Sequence, residues 1–131
     1  MREILFRAFV KDKCKIYDIK KIDFDYGMVW FEEENKPTDT MRMFDQIELM
    51  QFTGLTDKNG KKIFEGDIVK IHPYHSAGIH TEAIAIVCFD RGAFSGKISD
   101  HNPSSLYMYE KWRIEVVGNI HDNPELLEQE R

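Results

Sequence analysis

The stretch 49–71 constrains the fold more than any other part of this sequence. Asn59 and Gly60 give the sharpest local signal, because a type I′ hairpin turn needs positive φ at both central residues and this pair meets that need at little steric cost. The β-branched run 68–71 is typical of a strand. The stretch is therefore predicted to be a strand, a tight turn, a short apolar connection, a second turn and a second strand.

The second turn contains two carboxylates, Glu65 and Asp67, on either side of Gly66. A carboxylate pair can serve in acid–base catalysis, but Asp in a tight turn ordinarily hydrogen-bonds the nearby backbone. Turn chemistry is the favoured interpretation. Ile63 and Phe64, between the two turns, are expected to hold the connection against the core.

Length and composition favour a single domain that spans residues 1–131. The alternative is a subdivision into N-terminal strands (1–48) and a barrel with a terminal helix (49–131). The chain is 42% hydrophobic and has a formal net charge of −5. An acidic balance provides no general attraction to nucleic acid or to an anionic membrane.

Short strands separated by frequent turns dominate the rest of the chain. The apolar and acidic residues of 22–26 alternate, which indicates a strand with one solvated face, and 28–31 is a denser apolar run. The segments 41–44 and 47–50 are ambiguous between strand and short helix. Further strands are predicted at 3–10, 15–19, 82–89, 93–94 and 112–117, loops at 32–40, 72–80 and 97–105, and a short helix at 123–128 with Asn123 as its N-cap. This pattern predicts a mainly β, antiparallel, barrel-like fold with added N-terminal strands and a short C-terminal helix.

Two cysteines, Cys14 and Cys88, lie far apart and form no CxxC motif. This low cysteine content fits a reducing cytoplasm. The charged N-terminus does not resemble a signal peptide, and no apolar run approaches the roughly 20 residues that span a bilayer. We therefore expect a cytoplasmic protein without a membrane partner.

Three blocks of the sequence resemble the YopX family of phage and prophage proteins. They are the opening 2–9, the central stretch 49–71 (especially 50–54, 57–60 and 65–69) and the ending 117–127. Leu5 and Phe9 stand where the family usually has Lys and Trp, and Phe52 and Phe64 stand where Tyr is common. The resemblance implies a β-rich fold with an SH3-like barrel, a phage or prophage origin and a bacterial cytoplasm. It implies no activity, cofactor or functional residue.

The best metal candidates are His72, His75 and His80, since neutral imidazoles in one loop can converge on Zn²⁺. The alternative is an uncommitted polar loop, because a metal site needs three or four supported ligands. Cys88 lies in an apolar strand and is predicted to be a small core residue, and Cys14 lies in a Lys-rich turn without an identifiable base. No catalytic, cofactor-binding or metal residues are assigned.

A run of lysines near the N-terminus gives weak support for nucleic-acid binding, because small β-barrels often bind oligonucleotides. Acidic residues interleave with the run, so a solvated turn explains it as well. The run consists of Lys11, Lys13, Lys15, Lys20 and Lys21.

The sequence thus predicts a phage-type accessory protein, noncatalytic and acting on an unknown protein partner, with homo-oligomers plausible through exposed β edges. Nucleic-acid binding is the alternative, and a metal-dependent hydrolase is a third hypothesis. A local function is expected in the loops 33–40, 73–81 and 97–105.

Overall fold

The computed structural model describes residues 2–72, 82–98, 103–106 and 109–128, which form antiparallel β-sheets and one short helix. The prediction of a mainly β fold is confirmed, and the SH3-like character of the barrel remains a prediction. The chain divides into two compact units, 1–52 and 53–131. The strands are β1 (Phe6–Val10), β2 (Lys15–Asp18), β3 (Lys21–Asp23), β4 (Met28–Phe31), β5 (Thr40–Met43), β6 (Ile47–Thr56), β7 (Lys62–Phe64), β8 (Asp67–Ile71), β9 (Ala83–Asp90), β10 (Ala93–Lys97), β11 (Ser104–Ser105) and β12 (Ile114–Asn119), followed by helix α1 (Glu125–Glu128).

The first unit contains two groups of antiparallel strands. β1 pairs with β2 and with residues 47–51 of β6, and β4 lies between β3 and β5 in a three-stranded sheet. Burial of apolar side chains from both groups forms the core of this unit. The buried cluster consists of Ala8, Val10, Val29, Phe31 and Ile47, with Tyr17, Ile19 and Ile22 packed against it.

The ambiguous segments on either side of residue 45 resolve into strands joined by a helical turn. Residues 40–43 form β5, Phe44–Gln46 form a short 3-10 helix, and β6 follows directly. The Gln46 side chain accepts a hydrogen bond from the Met43 backbone N–H. This local bond explains why a Met-rich sequence without a clear period changes from strand to turn at this point.

The predicted strand 22–26 is wrong beyond residue 23. The Asp23 carboxylate accepts hydrogen bonds from the backbone N–H groups of Asp25 and Tyr26, at 2.9 and 3.1 Å. These bonds form an Asx turn, and Gly27 completes it with φ of 67°. The chain therefore reverses at Phe24–Tyr26, where an extended strand was expected.

The second unit is built on a five-stranded sheet in the order β11-β10-β9-β8-β12. The antiparallel sheets of the chain include a curled half-barrel. The core of the second unit consists of Ile63, Val69, Ile71, Ala85, Val87, Leu106 and Ile114. Several boundaries differ from prediction, among them β10, which extends to Lys97 beyond the predicted strand 93–94. Residues 104–105 of the expected loop pair with β10, and residues 111–113 form a 3-10 turn, so that β12 begins only at Ile114.

The hairpin between β6 and β7 exists, but its turn is not type I′. Gly60 has φ of 81°, whereas Asn59 does not have positive φ. The Gly60 N–H donates to the Asp57 carbonyl, and the Asp57 N–H donates to the Lys61 carbonyl. This pattern is typical of a type I turn followed by a left-handed glycine.

The chain after β12 is held by asparagine side chains. Asn119 Oδ1 accepts hydrogen bonds from the N–H groups of His121 and Asp122, and Asn123 Oδ1 accepts one from the Asn119 N–H. Asn123, predicted as the helix N-cap, thus uses its side chain to close this turn. No helix among the described residues has the length and apolar character needed to cross a membrane.

Candidate protein-binding face

One side of the β3-β4-β5 sheet carries an unusual set of apolar side chains. Met28 pairs directly with Met43, and Trp30 pairs directly with Met41. Directly paired residues of antiparallel strands project to the same side of a sheet, and alternate residues project to opposite sides. Because Val29 is fully buried in the core, these paired residues must lie on the other side.

This outer side is open to solvent. Met41 and Met43 are 38% and 40% exposed, and Met28 and Trp30 are half-buried. Aromatic residues of the adjoining turn and 3-10 helix lie next to the end where Met28 pairs with Met43. We define the apolar face as Phe24, Tyr26, Met28, Trp30, Met41, Met43 and Phe44.

Phe24 and Tyr26 are the most exposed large hydrophobic residues described, at 74% each. The Phe24 ring meets the Phe44 ring edge to face, with centroids 6.3 Å apart. The Phe44 N–H donates to the Gly27 carbonyl, which fixes the 3-10 helix beside the turn. The aromatic end of the face is thus supported by backbone hydrogen bonds and a ring contact.

Sequence reasoning missed this face because alternation in 22–26 placed Phe24 and Tyr26 on the buried side of a strand. The available signal was Asp23 followed by Gly27, since Asp commonly starts a turn and Gly commonly ends one. The dense apolar run 28–31 correctly indicates a strand, which lies in the middle of its sheet. It did not show that one side of that strand stays exposed.

The aromatic end of the face has an acidic border. Asp23 pairs with Met28 and so lies on the outer side, Asp25 separates the two exposed aromatic residues, and Asp45 follows Phe44. Two cations are also nearby. The Lys21 ammonium lies 4.6 Å from the centre of the Trp30 ring, and the Lys11 ammonium donates to the Asp45 backbone carbonyl.

The loop 33–40, one of the expected functional loops, is held by an ion-pair network. Lys13 and Lys36 approach the Glu33 carboxylate at 2.8 and 2.7 Å, and the Thr40 hydroxyl donates to it at 2.6 Å. The Lys13 ammonium, followed by Lys36 and Thr40, lowers the pKa of Glu33 well below its usual range. The network therefore accounts for these charges as structural groups.

Beside this network lies a surface cleft of about 620 Å³. Its walls contain both lysines and carboxylates, and they consist of Lys15, Ile16, Tyr17, Asp18, Lys20, Glu32, Glu33, Glu34 and Asn35. Lys20 lies 2.9 Å from Glu32 and 3.2 Å from Asp39. Of the predicted basic run, Lys13 and Lys20 are thus already paired with carboxylates.

The predicted metal loop is described only at its start. His72 Nε2 lies 3.0 Å from Glu115, and its Nδ1 lies 3.5 Å from Glu82. The His72 carbonyl accepts a hydrogen bond from Arg113 Nε. No group of His, Cys, Asp and Glu in the described ranges can hold a metal ion, and His75 and His80 lie outside those ranges.

The other residues considered for chemistry have local structural roles. The buried Asp67 carboxylate accepts the Phe64 N–H at 2.8 Å, as turn chemistry predicts for the 65–67 segment. Both cysteines are free thiols, Cys14 exposed and Cys88 half-buried. Burial, followed by the charge of Asp90, raises the pKa of Cys88, which makes this thiol a weak nucleophile.

The family model described as YopX protein matches residues 5–128. The chain belongs to the YopX family. The resemblance of its three sequence blocks to that family is thereby confirmed. A comparison with curated proteins finds no match.

Two crystal structures of similar proteins share the fold. Protein EF1440 from Enterococcus faecalis is 25% identical, has a TM-score of 0.64, and the alignment covers 97% of this chain and 99% of that one. Protein yopX from Bacillus subtilis is 21% identical, has a TM-score of 0.65, and the alignment covers 97% of each chain. The similarity extends over both units of the present chain and establishes a shared fold without an activity.

Proposed function

We propose that this protein is a noncatalytic accessory protein of phage or prophage origin that acts in the bacterial cytoplasm through protein–protein contacts. The observation that carries the proposal is the apolar face. Contiguous apolar patches of more than a few hundred Å² are uncommon on monomeric soluble proteins and mark interaction sites. The face places exposed aromatic and Met side chains together on a supported sheet.

The composition of the face suits recognition of a protein. Aromatic residues and Met are enriched in protein interfaces, and a few aromatic side chains often dominate the binding energy. Methionine adapts its shape to a partner because its unbranched side chain has several rotatable bonds. Trp30 and the exposed Phe24 and Tyr26 would supply the anchors, and Met41 and Met43 would supply adaptable contact area.

Asp67 and His72, which the sequence offered for chemistry, and Glu33 of the expected functional loop 33–40 support a noncatalytic role through their contacts. Asp67 binds a backbone N–H, Glu33 binds two ammonium groups and a hydroxyl, and His72 lies between two carboxylates. Each of these arrangements stabilises the local fold. None of them aims a nucleophile together with a base into a cavity.

The direct test is affinity capture from lysogenic or infected cells with matched variants. The double variant Phe24→Ser/Tyr26→Ser removes the exposed aromatic end of the face. Phe89→Ser is the control, since Phe89 is 57% exposed and also meets another Phe ring edge to face, but lies in the second unit. We expect a specific partner that the wild type and the Phe89 control retain and the double variant loses. Equal capture by all three proteins would remove the support for the proposal.

Self-association is a form of the same proposal, because β3 and β5 are the edge strands of their sheet. Light scattering over a range of concentrations measures it. A dimer that dissociates in the double variant would identify a second copy as the partner. A clean monomer at high concentration would rule out this form and leave a different protein as the partner.

Nucleic-acid binding is the second candidate, supported by the lysine run and by the frequency with which small β-barrels bind oligonucleotides. The pairing of Lys13 with Glu33 and of Lys20 with Glu32 and Asp39 weighs against it, because these cations are already neutralised. Titration with single- and double-stranded oligonucleotides at low and moderate salt tests it. Absence of salt-sensitive binding at low salt would reject nucleic-acid binding.

The third hypothesis, a metal-dependent hydrolase, is tested by elemental analysis of the purified protein. A protein without bound metal would remove the main reason for that hypothesis.

A further inference from the structure

We propose that the apolar face binds a protein segment in which Arg or Lys side chains lie among apolar ones. This inference rests on the proposed function and specifies the chemistry of the partner. It is carried by the way carboxylates and aromatic rings alternate at the exposed end of the face.

Residues 23–26 place two carboxylates next to two exposed rings. Asp23 and Asp25 are separated by Phe24, and Tyr26 follows. The Asp23 carboxylate is fixed by its two hydrogen bonds to the turn backbone, so its charge has a defined position. A cation that approaches this turn meets a carboxylate and the face of an aromatic ring together.

An aromatic ring attracts a cation through its quadrupole, and a neighbouring carboxylate adds a charge-assisted hydrogen bond. Guanidinium groups suit this combination best, because they stack on a ring while their N–H groups reach a carboxylate. The uncharged part of the face, Met28, Met41 and Met43, would accept apolar side chains of the same segment.

Contacts between a cation and an aromatic ring already occur within the first unit of the protein. Lys21 lies over Trp30 at 4.6 Å, on the same side of the sheet as Asp23 and Met28. Lys15 lies over Tyr17 at 5.2 Å. Phe24 and Tyr26 present comparable rings whose surfaces remain 74% exposed.

The charges also favour such a segment over a second copy of this chain. Asp23, Asp25 and Asp45 outnumber Lys11 and Lys21 at this border, and the whole chain has a formal net charge of −5. A second copy would bring the same acidic border to the contact, and like charges at an interface are unfavourable. A cationic amphipathic segment provides the complementary arrangement.

The test uses two synthetic peptides of about 18 residues, long enough to form an amphipathic segment. One is composed of Leu, Met and Arg, and the other has Glu in place of every Arg. Binding is followed by fluorescence anisotropy of the labelled peptides and by Trp30 emission in a Trp112→Phe background. We expect the Arg peptide to bind at least about tenfold more tightly than the Glu peptide, and to weaken with added salt.

Variants locate the binding. Asp25→Asn should weaken the Arg peptide about three- to tenfold and reduce its salt dependence, since it removes one carboxylate from an exposed turn. Glu125→Gln, which removes one charge from the second unit, should leave its affinity unchanged. Phe24→Ser/Tyr26→Ser should weaken binding of the Arg peptide at least about tenfold, since it removes both exposed rings, and Phe89→Ser should leave that affinity unchanged.

Equal binding of the two peptides, binding of neither, or an unchanged affinity in Asp25→Asn would overturn the inference. If cellular capture still depends on Phe24 and Tyr26 in that case, the proposed function stands with a partner of different chemistry. If capture is independent of Phe24 and Tyr26, the proposed function itself fails, whatever the peptides do. A dimer that dissociates in the double variant would also overturn the inference, in favour of a second copy.

Discussion

The Asp57 carboxylate accepts a hydrogen bond from the backbone N–H of Val116, with 2.9 Å between Oδ2 and the nitrogen. Its other oxygen accepts the N–H groups of Asn59 and Lys61. Asp57 is 1% exposed. Burial alone would raise its pKa, but the three backbone N–H donors outweigh burial and the pKa is lowered. One ionised side chain thus joins the β6-β7 turn to β12.

We predict that Asp57→Asn destabilises the protein by about 1–3 kcal/mol. The amide NH₂ that replaces one carboxylate oxygen cannot accept a hydrogen bond, so the backbone N–H groups bonded to that oxygen are left unsatisfied. The free energy of unfolding from urea titration measures the change. Asp25→Asn is the matched control, since Asp25 is exposed, and it should change stability by less than about 0.5 kcal/mol. Equal effects of the two substitutions would show that the Asp57 bonds do not stabilise the fold.

The Glu33 network predicts a specific acid sensitivity. Because Lys13, Lys36 and Thr40 lower the folded-state pKa, Glu33 stabilises the fold above its unfolded pKa of about 4.3, and this stabilisation is lost as pH falls towards the folded value. We expect Glu33→Gln to lower Tm at neutral pH and the difference from wild type to shrink by about pH 3.

Thermal unfolding across this pH range checks the prediction. Glu34→Gln provides the control, since it removes the same charge from the exposed neighbouring residue. A Glu33→Gln deficit that is constant with pH would show that the ion pairs are not its cause.

Gly118 is required by a close approach. A Cβ at this position would lie 2.5 Å from Asn123 Oδ1 and 2.8 Å from its Cγ. Gly118→Ala should therefore displace Asn123, break its bond to the Asn119 N–H, and cost about 1–3 kcal/mol of stability. Urea titration of Gly118→Ala, Asn123→Ala and the double variant forms a cycle. Because Asn123→Ala removes the two nearest clashing atoms, Oδ1 and Cγ, and leaves only the Cβ at 2.9 Å, the double variant should lose less than the sum of the single losses. Additive losses would contradict the steric explanation.

The two thiols should differ in reactivity. Cys14 is exposed, whereas burial raises the pKa of Cys88 and reduces its thiolate fraction. Labelling of the folded protein with a disulfide reagent should show a fast thiol and one slower by about tenfold or more. The fast phase should disappear in Cys14→Ser and persist in Cys88→Ser. Two equally fast thiols would contradict the burial of Cys88.

Much of the local structure follows from short-range chemistry in the sequence. The strands 28–31 and 67–71, the buried pair at Ile63 and Phe64, and the turn at 65–67 all have the residue types that their backbone geometry requires. The hairpin at Asn59–Gly60 is predicted correctly, but the predicted type I′ turn is wrong, because a type I turn also accepts Asn before a left-handed Gly. The sequence did not indicate that Asp57 fixes this turn, since its third hydrogen-bond donor, the Val116 N–H, lies far along the chain.

The apolar face could not be predicted from sequence periodicity. Alternation shows which residues of a strand share a side, but it does not show which side another element will cover. Local residue patterns were enough to predict a mainly antiparallel β protein and its principal turns, and three sequence blocks were enough to indicate its family. The tertiary structure decided that Val29 and Phe31 meet the core, and that Met28 and Trp30 face outward beside Phe24 and Tyr26. Which side of a strand is buried depends on packing between segments that are distant in the chain. Local residue patterns therefore predict the strands, but they do not predict which of their sides stays exposed.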